Sequence, residues 1–161
     1  MPSWTDVTVA APDLAAVVQR RFEAHGLALL ATVRRDGSPR ISGLEPLFAL
    51  GELWLGMMPG SRKAADLLRD PRFALHSATT DKAVTQGDAK LAGRALVVDD
   101  DESFARFVEA FDRQTGAPPP PGSFNLFRAD VTELSSVLPA GDHLNIDVWR
   151  HGRPPTRIER Y

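Results

Sequence analysis

Hydrophobic positions along the chain alternate with polar ones more often than they recur at helical spacing. Seven stretches fit strands, because they alternate or form short apolar runs bounded by turn residues. They are residues 27–34, 40–50, 53–58, 73–78, 89–98, 124–137 and 144–149. Pro46 interrupts the second stretch and predicts that this strand bends or lies at a sheet edge. Gly93 lies inside the fifth, where it predicts a bulge or a close backbone approach.

Three other stretches show helical spacing. The first begins at Pro12 and ends at Gly26, the second covers residues 61–70, and the third covers residues 101–115. The predicted strands are joined mostly by short turns, which favours antiparallel pairing. The sequence therefore predicts a mainly β fold with peripheral helices, namely a closed or split antiparallel barrel of six or seven strands.

The length of 161 residues fits one domain that can bury a core of its own. We expect an N-terminal helix within residues 1–26, a barrel core over residues 27–150 and a tail over residues 151–161. The proline-rich segment 117–122 is predicted to be a stiff connector rather than a domain boundary, because too little chain follows it to fold alone.

Composition removes several classes of function. The chain has no cysteine, a net charge of -2 and a pI near 6.1, so we expect neither nucleic acid nor a membrane surface as a partner. The N-terminus lacks the basic and apolar regions of a signal peptide, and a cytoplasmic location is the expectation. The four histidines are far apart in sequence, and no metal site is predicted. No residue pattern identifies a catalytic acid, base or nucleophile, so redox chemistry here would need a bound cofactor.

The second predicted helix carries an unusual charge at its start. Ser61 is a good N-cap, yet Arg62 and Lys63 follow it, whereas a helix N-terminus favours acidic residues. An anion bound by the free N–H groups would reverse this cost, and the two cations would then clamp a phosphate. Solvated surface charges that extend away from the helix are an equally compatible interpretation on physical grounds.

The order of motifs resembles a known family. A turn at residues 35–39 (Arg-Asp-Gly-Ser-Pro) follows the first strand, residues 59–64 (Pro-Gly-Ser-Arg-Lys-Ala) follow the third, and residues 70–75 (Asp-Pro-Arg-Phe-Ala-Leu) begin the fourth. This arrangement resembles the pyridoxamine 5'-phosphate oxidase-like family of flavin-binding split β-barrels. The likeness runs from about residue 27 to about residue 98, and more loosely through Trp149.

The resemblance implies a homodimer with two flavin sites at the interface and a small-molecule substrate. In such proteins an Arg-Lys pair contacts the flavin phosphate. Carried over to this chain, the implied cofactor-binding residues are Ser61, Arg62 and Lys63 at the phosphate, Gly56, Met57 and Met58 along the ring or ribityl chain, Arg40, Ile41 and Ser42 on the second strand, and Trp149 and Arg150 across the dimer.

The cofactor and the activity stay open at this point. Relatives use the same barrel with FMN, with a deazaflavin coenzyme or with haem, and a haem would require an axial ligand such as His76 or His143. Oxidases of the vitamin have a tyrosine-threonine pair where this chain has Gly56 and Met57, and their C-terminal ending differs, so pyridoxamine phosphate is not expected as the substrate. A flavin- or deazaflavin-dependent oxidoreductase is the first hypothesis, a non-catalytic flavin or haem carrier the second, and a dimerisation module without cofactor the third.

Overall fold

The structure, a computed structural model, describes residues 2–120, 122 and 124–161. These residues form a single sheet of nine strands with four helices. In chain order the elements are α1 (Trp4–Ala10), α2 (Pro12–Glu23), β1 (Ala28–Val33), β2 (Pro39–Leu44), β3 (Pro46–Ala49), β4 (Glu52–Met57), α3 (Arg62–Arg69), β5 (Arg72–Ser77), β6 (Asp88–Val97), α4 (Asp101–Thr115), β7 (Asn125–Ala140), β8 (His143–Arg150) and β9 (Thr156–Arg160). Pro121, in the predicted connector, and Ser123, just after it, are outside the described residues.

All strand pairs are antiparallel, and the strand order is β2-β1-β5-β6-β7-β4-β3, with β8 and β9 continuing from β7. β2 and β3 are the two ends of this order, although only Glu45 separates them in sequence. The sheet therefore curls until its ends approach each other but does not close. The mainly β, split-barrel fold class predicted from the sequence is confirmed.

The strand count differs from the six or seven expected. The bend predicted at Pro46 is a complete break, because Pro46 has no N–H to donate and begins a separate strand at the opposite end of the sheet order. The C-terminal residues add β9, whose five residues are all exposed and which pairs only with β8. The exposed β9 explains why the hydrophobic pattern gave no strand signal there.

The helices begin and end mostly at the predicted residues. Ser61 caps α3, because its side chain accepts a hydrogen bond from the Ala64 N–H, and α4 ends at Gly116 with φ +78°. Hydrophobic spacing gave no signal for α1, which has only seven residues. A capping box formed by Ser3 and Asp6 opens it, and this pattern is readable in the sequence.

Gly93 has the role predicted for it. The register between β6 and β7 shifts at Ala92 and Gly93. A Cβ atom at residue 93 would lie 1.9 Å from the carbonyl oxygen of Asp130. Only glycine permits this close approach of two strands, so it fixes the bulge that bends the sheet.

The core has two parts. The larger cluster fills the barrel and is covered by α1 and α2, with Phe22, Leu53 and Trp149 among its fully buried side chains. The smaller cluster lies under α4, where Phe107 packs against Trp54 with ring centroids 5.8 Å apart. α4 is thus held mainly by aromatic contacts. Along the part of the chain that the structure describes, no helix has the length and apolar character needed to span a bilayer.

Candidate functional site

The N-terminus of α3 lies where the sheet is split. The connection from β4 delivers the chain to Ser61, and α3 then packs on β1. No acidic residue occupies its first turn. Arg62 is exposed and Lys63 is half-buried. Since successive helical residues are about 100° apart, the two cations extend to different sides of the helix start.

Lys63 links α3 to the unpaired edge of β2. Its ammonium group donates a hydrogen bond of 2.6 Å to the carbonyl oxygen of Gly43. β2 pairs only with β1, so the backbone groups along its other edge have no strand partner. An ammonium has three N–H donors, and this contact uses one of them. Lys63 therefore keeps donors for a second partner at this edge.

A pocket of about 440 Å³ occupies the gap between the two ends of the sheet, and we call it the split pocket. One wall is the end of β2 with Gly43, and another is the end of β4 with Gly56, Met57 and Met58. Lys63 reaches it from α3. Gly43 leaves space there, because a Cβ atom at residue 43 would meet nothing closer than Leu27 Cδ1 at 4.0 Å.

The remaining wall of the split pocket is aromatic. Trp54, Phe107, Phe111 and Phe124 line it, and the Phe107 and Phe124 rings are 5.7 Å apart in an edge-to-face arrangement. The pocket is thus mostly apolar, with Lys63, Glu45 and Thr115 as its polar side chains, and its volume lies within the range usual for small-molecule and cofactor sites.

Beside the split pocket, one buried carboxylate organises the opposite face of α3. Asp66 is 3% exposed. Its Oδ2 accepts hydrogen bonds from Arg40 Nε at 2.7 Å and Thr32 Oγ1 at 2.8 Å, and its Oδ1 accepts one from Arg69 at 3.2 Å. Burial by itself raises the pKa of Asp66, but these hydrogen bonds outweigh it and hold the pKa below its usual value. Asp66 therefore stays ionised and fixes the position of Arg40.

Arg40 belongs to a second pocket of about 430 Å³, which we call the arginine pocket. Five arginines and two aspartates line it: Arg34, Arg35, Arg40, Arg62, Arg69, Asp36 and Asp66. The α3 residues among them, together with Ala65, recur at helical spacing and so form one face of the helix. The first turn of α3 thus separates the arginine pocket from the split pocket.

Most of the predicted site residues lie around this helix start. Lys63, Gly56, Met57 and Met58 line the split pocket, whereas Arg62 and Arg40 line the arginine pocket. Ser61 caps the helix between them. The prediction placed Arg62 and Lys63 together on one phosphate. In the structure they reach the helix start from two sides.

Other predicted residues lie elsewhere within one protomer. Ile41 points to the outer face of the sheet, where it is 73% exposed, and Ser42 is half-buried on β2. Trp149 is buried in the barrel core, and the exposed Arg150 pairs with Glu133 at 2.9 Å. Contact of Trp149 and Arg150 with a partner's site stays a prediction.

Several residues that shape the site had no predicted role in it. Arg34 was predicted to end the first strand and Arg35 to begin the turn that follows. Asp66 carried one signal in the sequence. It is an acidic residue in the short α3, two positions after the buried Ala64 and one before the buried Leu67. In the described ranges, no group of three or more metal-ligating side chains is found.

Comparison with known proteins identifies the family. The sequence model described as pyridoxamine 5'-phosphate oxidase matches residues 14–138, more than three quarters of the chain. The chain belongs to the pyridoxamine 5'-phosphate oxidase family. The matched range of this family includes β1 to β6, α3 and both pockets' lining residues. Among curated protein sequences, none matches the chain.

Solved structures with the fold of this family differ in what they bind. A conserved hypothetical protein of Mycobacterium tuberculosis is 26% identical, with 68% of this chain and 75% of that chain covered and a TM-score of 0.57. A pyridoxamine 5'-phosphate oxidase-related, FMN-binding protein of Nostoc punctiforme is 16% identical, and the match covers 94% of this chain and 96% of that chain with a TM-score of 0.67. A haem-binding protein of Mycobacterium smegmatis is 20% identical, and the match covers 84% of this chain and 57% of that chain with a TM-score of 0.62. The last two likenesses concern the fold alone.

Proposed function

We propose that this protein binds a flavin-type cofactor, FMN or a deazaflavin coenzyme, and acts as an oxidoreductase on a small organic molecule. Support comes from one position in the fold: the start of α3, which Ser61 caps, carries Arg62 and Lys63 and no acidic residue in its first turn, and Lys63 lines the split pocket. Free N–H groups and two cations favour a phosphate at this point.

The donor set and the shape of the split pocket fit such a cofactor. The unpaired edge of β2 offers alternating backbone donors and acceptors, as the polar edge of a flavin ring requires. The aromatic wall under α4 offers a surface for a planar apolar ring system. When bound, the cofactor would supply hydride or electron transfer.

The roles of the chain's own residues follow from their positions. Lys63 would contact the phosphate from the side of the split pocket and Arg62 from the other side of the helix start, and Lys63 would also keep the β2 edge in place through its bond to Gly43. Met57 and Phe107 would exclude water from the ring. No side chain is assigned as a catalytic acid or base.

A homodimer is part of this proposal. Leu29 and Ile41 are 47% and 73% exposed on the outer face of β1 and β2, beside an apolar depression of about 350 Å³. A second copy that covers this face would remove both side chains from water. Analytical ultracentrifugation should give a dimer, and Ile41→Asp should shift it toward the monomer. A wild-type monomer at micromolar concentration contradicts this part of the proposal.

A non-catalytic haem carrier is the second candidate, favoured by haem-binding proteins among the solved structures of the same fold. The two histidines considered as axial ligands lie away from the split pocket. His76 Nδ1 is 2.6 Å from the Ser77 carbonyl oxygen and its Nε2 is 3.4 Å from Asp88, while the His143 ring lies 5.1 Å from that of Tyr161. Haem in the split pocket would therefore have to bind without either histidine from the same protomer.

The experiment is a binding titration of Arg62→Ala/Lys63→Ala against the wild type with FMN and with a deazaflavin coenzyme. We expect the double variant to keep the circular dichroism spectrum of the wild type and to lose cofactor binding. Lys82→Ala/Arg106→Ala, which removes two exposed cations elsewhere, is the matched control. Unchanged affinity in the α3 variant would refute the site. Turnover of reduced nicotinamide or reduced deazaflavin with a dye acceptor would separate an oxidoreductase from a carrier.

A further inference from the structure

A third pocket, of about 380 Å³, lies between α2 and the sheet, and we call it the α2 pocket. It shares no lining residue with the split pocket or the arginine pocket. Val17, Arg20 and Arg21 line it from one side of α2, because the spacing i, i+3 and i+4 places them together. Leu138 on β7 and Asn145 on β8, which are opposite each other in the register, line it from the sheet.

Two polar atoms of these lining residues are buried without a hydrogen-bond partner. They are Arg21 Nε, a donor, and Asn145 Oδ1, an acceptor. Helix α2 ends just after Arg20 and Arg21, and the helix dipole favours cations there, but it does not account for a buried Nε that donates to nothing. Buried polar atoms of folded proteins normally have a partner. A molecule in the α2 pocket with one acceptor and one donor would supply both.

The α2 pocket carries unbalanced positive charge. Three arginines and two aspartates line it, which leaves a formal excess of one positive charge. Asp147 is already held by Arg157, whose Nε and Nη2 donate to its two carboxylate oxygens at 2.7 Å and 3.0 Å. Among the residues that the structure describes, neither Arg20 nor Arg21 takes part in an ion pair. A singly charged anion would balance these two arginines.

The second aspartate, Asp88, faces away from α2. In the register Asp88 is opposite Val137, whereas Asn145 is opposite Leu138, the next residue of β7. Successive side chains of a strand point to opposite faces of the sheet, so Asp88 and Asn145 project to opposite faces. One oxygen of Asp88 is 3.4 Å from His76 Nε2, and the other is buried without a partner on that same outer face. A ligand under α2 therefore meets one unpaired acceptor, Asn145, and needs one donor rather than the three of an ammonium group.

We propose that the α2 pocket binds a small 2-hydroxy carboxylate with an apolar side chain. The carboxylate accepts hydrogen bonds from Arg20 and Arg21, and the hydroxyl donates to Asn145 Oδ1. The apolar side chain contacts Val17 and Leu138. The volume of the pocket lies within the range usual for small-molecule sites. This inference does not depend on the proposed function, because the pocket shares no residue with the proposed cofactor site.

The test is isothermal titration calorimetry of the full chain with three probes. They are phenyllactate as each enantiomer, 3-phenylpropionate, which lacks the hydroxyl, and phenylalanine, which has an ammonium in its place. We expect one enantiomer of phenyllactate to bind with a Kd below about 1 mM, about fivefold more tightly than either other probe. Arg21→Met should weaken the binding of both acids about tenfold or more, because it removes a charged donor. Asn145→Ala should abolish the preference for phenyllactate and keep the affinity for 3-phenylpropionate.

Two control variants should bind phenyllactate as the wild type does. Arg106→Met removes one exposed helix cation outside the pocket, and Arg62→Ala/Lys63→Ala removes the proposed phosphate site. Loss of binding in the latter would place the acid in the cofactor site and overturn the inference. Absence of binding to the wild type, equal affinities for the two acids, tighter binding of phenylalanine, or unchanged binding in Arg21→Met would also overturn it. If Arg21→Met loses the circular dichroism spectrum of the wild type, the Asn145→Ala titration decides alone.

Discussion

Replacing Asp66 by Asn should destabilise the protein strongly. The substitution removes the charge that Arg40 and Arg69 contact, and the Arg40 side chain, only 18% exposed, is left as a poorly solvated cation. Removing one partner of a buried ion pair costs about 3–5 kcal/mol. We expect about 3 kcal/mol, the lower end of that range, because the Arg69 side chain is 34% exposed and can turn to water.

This loss corresponds to a decrease in melting temperature of about 6–12 °C, since about 1 kcal/mol shifts a domain of this size by about 2–4 °C. Differential scanning calorimetry near neutral pH measures it. Asp70→Asn is the matched control, because Asp70 also pairs with an arginine, but this partner, Arg72, has a side chain that is 65% exposed and can be solvated without the pair, so the pair should contribute little. If Asp66→Asn melts within about 2 °C of the wild type, less than 1 kcal/mol by the same conversion, the structural role given to Asp66 is wrong.

The same contact predicts a pH dependence. The pKa of Asp66 is lower in the folded state than in the unfolded chain, so its contribution to stability is present above the ordinary carboxyl pKa of about 4 and decreases as the pH falls through the lower, folded value. The difference in melting temperature between wild type and Asp66→Asn should therefore be constant near neutral pH and become smaller in acid. A difference that grows in acid contradicts the sign of this shift.

Three further predictions concern other positions. Burial and the charge of Asp130 raise the pKa of Glu52, although Arg128 acts in the opposite direction, so ionised Glu52 disfavours the folded state. Glu52→Gln should therefore raise the melting temperature near pH 7, with a smaller gain at about pH 4. A decrease in melting temperature at pH 7 would contradict this. Gly93→Ala should lower the free energy of unfolding, measured in urea, by about 3 kcal/mol, because the new Cβ would collide with the Asp130 carbonyl oxygen. Gly43→Ala is the control and should leave stability nearly unchanged. Equal effects of the two alanine substitutions would refute the close approach. Gly43→Val should fold normally yet weaken cofactor binding in a titration, because its side chain would enter the split pocket; wild-type affinity would place the ring elsewhere.

The sequence carries the fold class because the deciding signals are local. Alternation marks the strands, Pro46 marks the break between β2 and β3, and Gly93 marks the bulge. Local signals also identify the capped start of α3 with its two cations. α1 was missed because it has only seven residues, too few to show a long periodic pattern of hydrophobic positions.

The rest of the site could not be read locally because it is built by contacts between distant residues. Arg40 meets Asp66 across 26 positions of sequence, and the β1-β2 turn brings Arg34 and Arg35 to the face of α3. Trp149 shows a related limit, since alternation predicts that a side chain is buried but not whether it faces the core or a cleft. It faces the core.

The central claim is that the start of α3 holds the phosphate of a flavin-type cofactor. The most direct measurement is the absorbance spectrum of the purified protein, combined with mass spectrometry of what it releases on denaturation and a thermal melt with each added cofactor. We expect a flavin or deazaflavin chromophore bearing a phosphate, or, if the cofactor is lost during purification, a rise in melting temperature of about 5–10 °C at a cofactor concentration one hundred times Kd. A colourless protein whose melting temperature moves with neither FMN nor a deazaflavin coenzyme, or a haem spectrum, would contradict it.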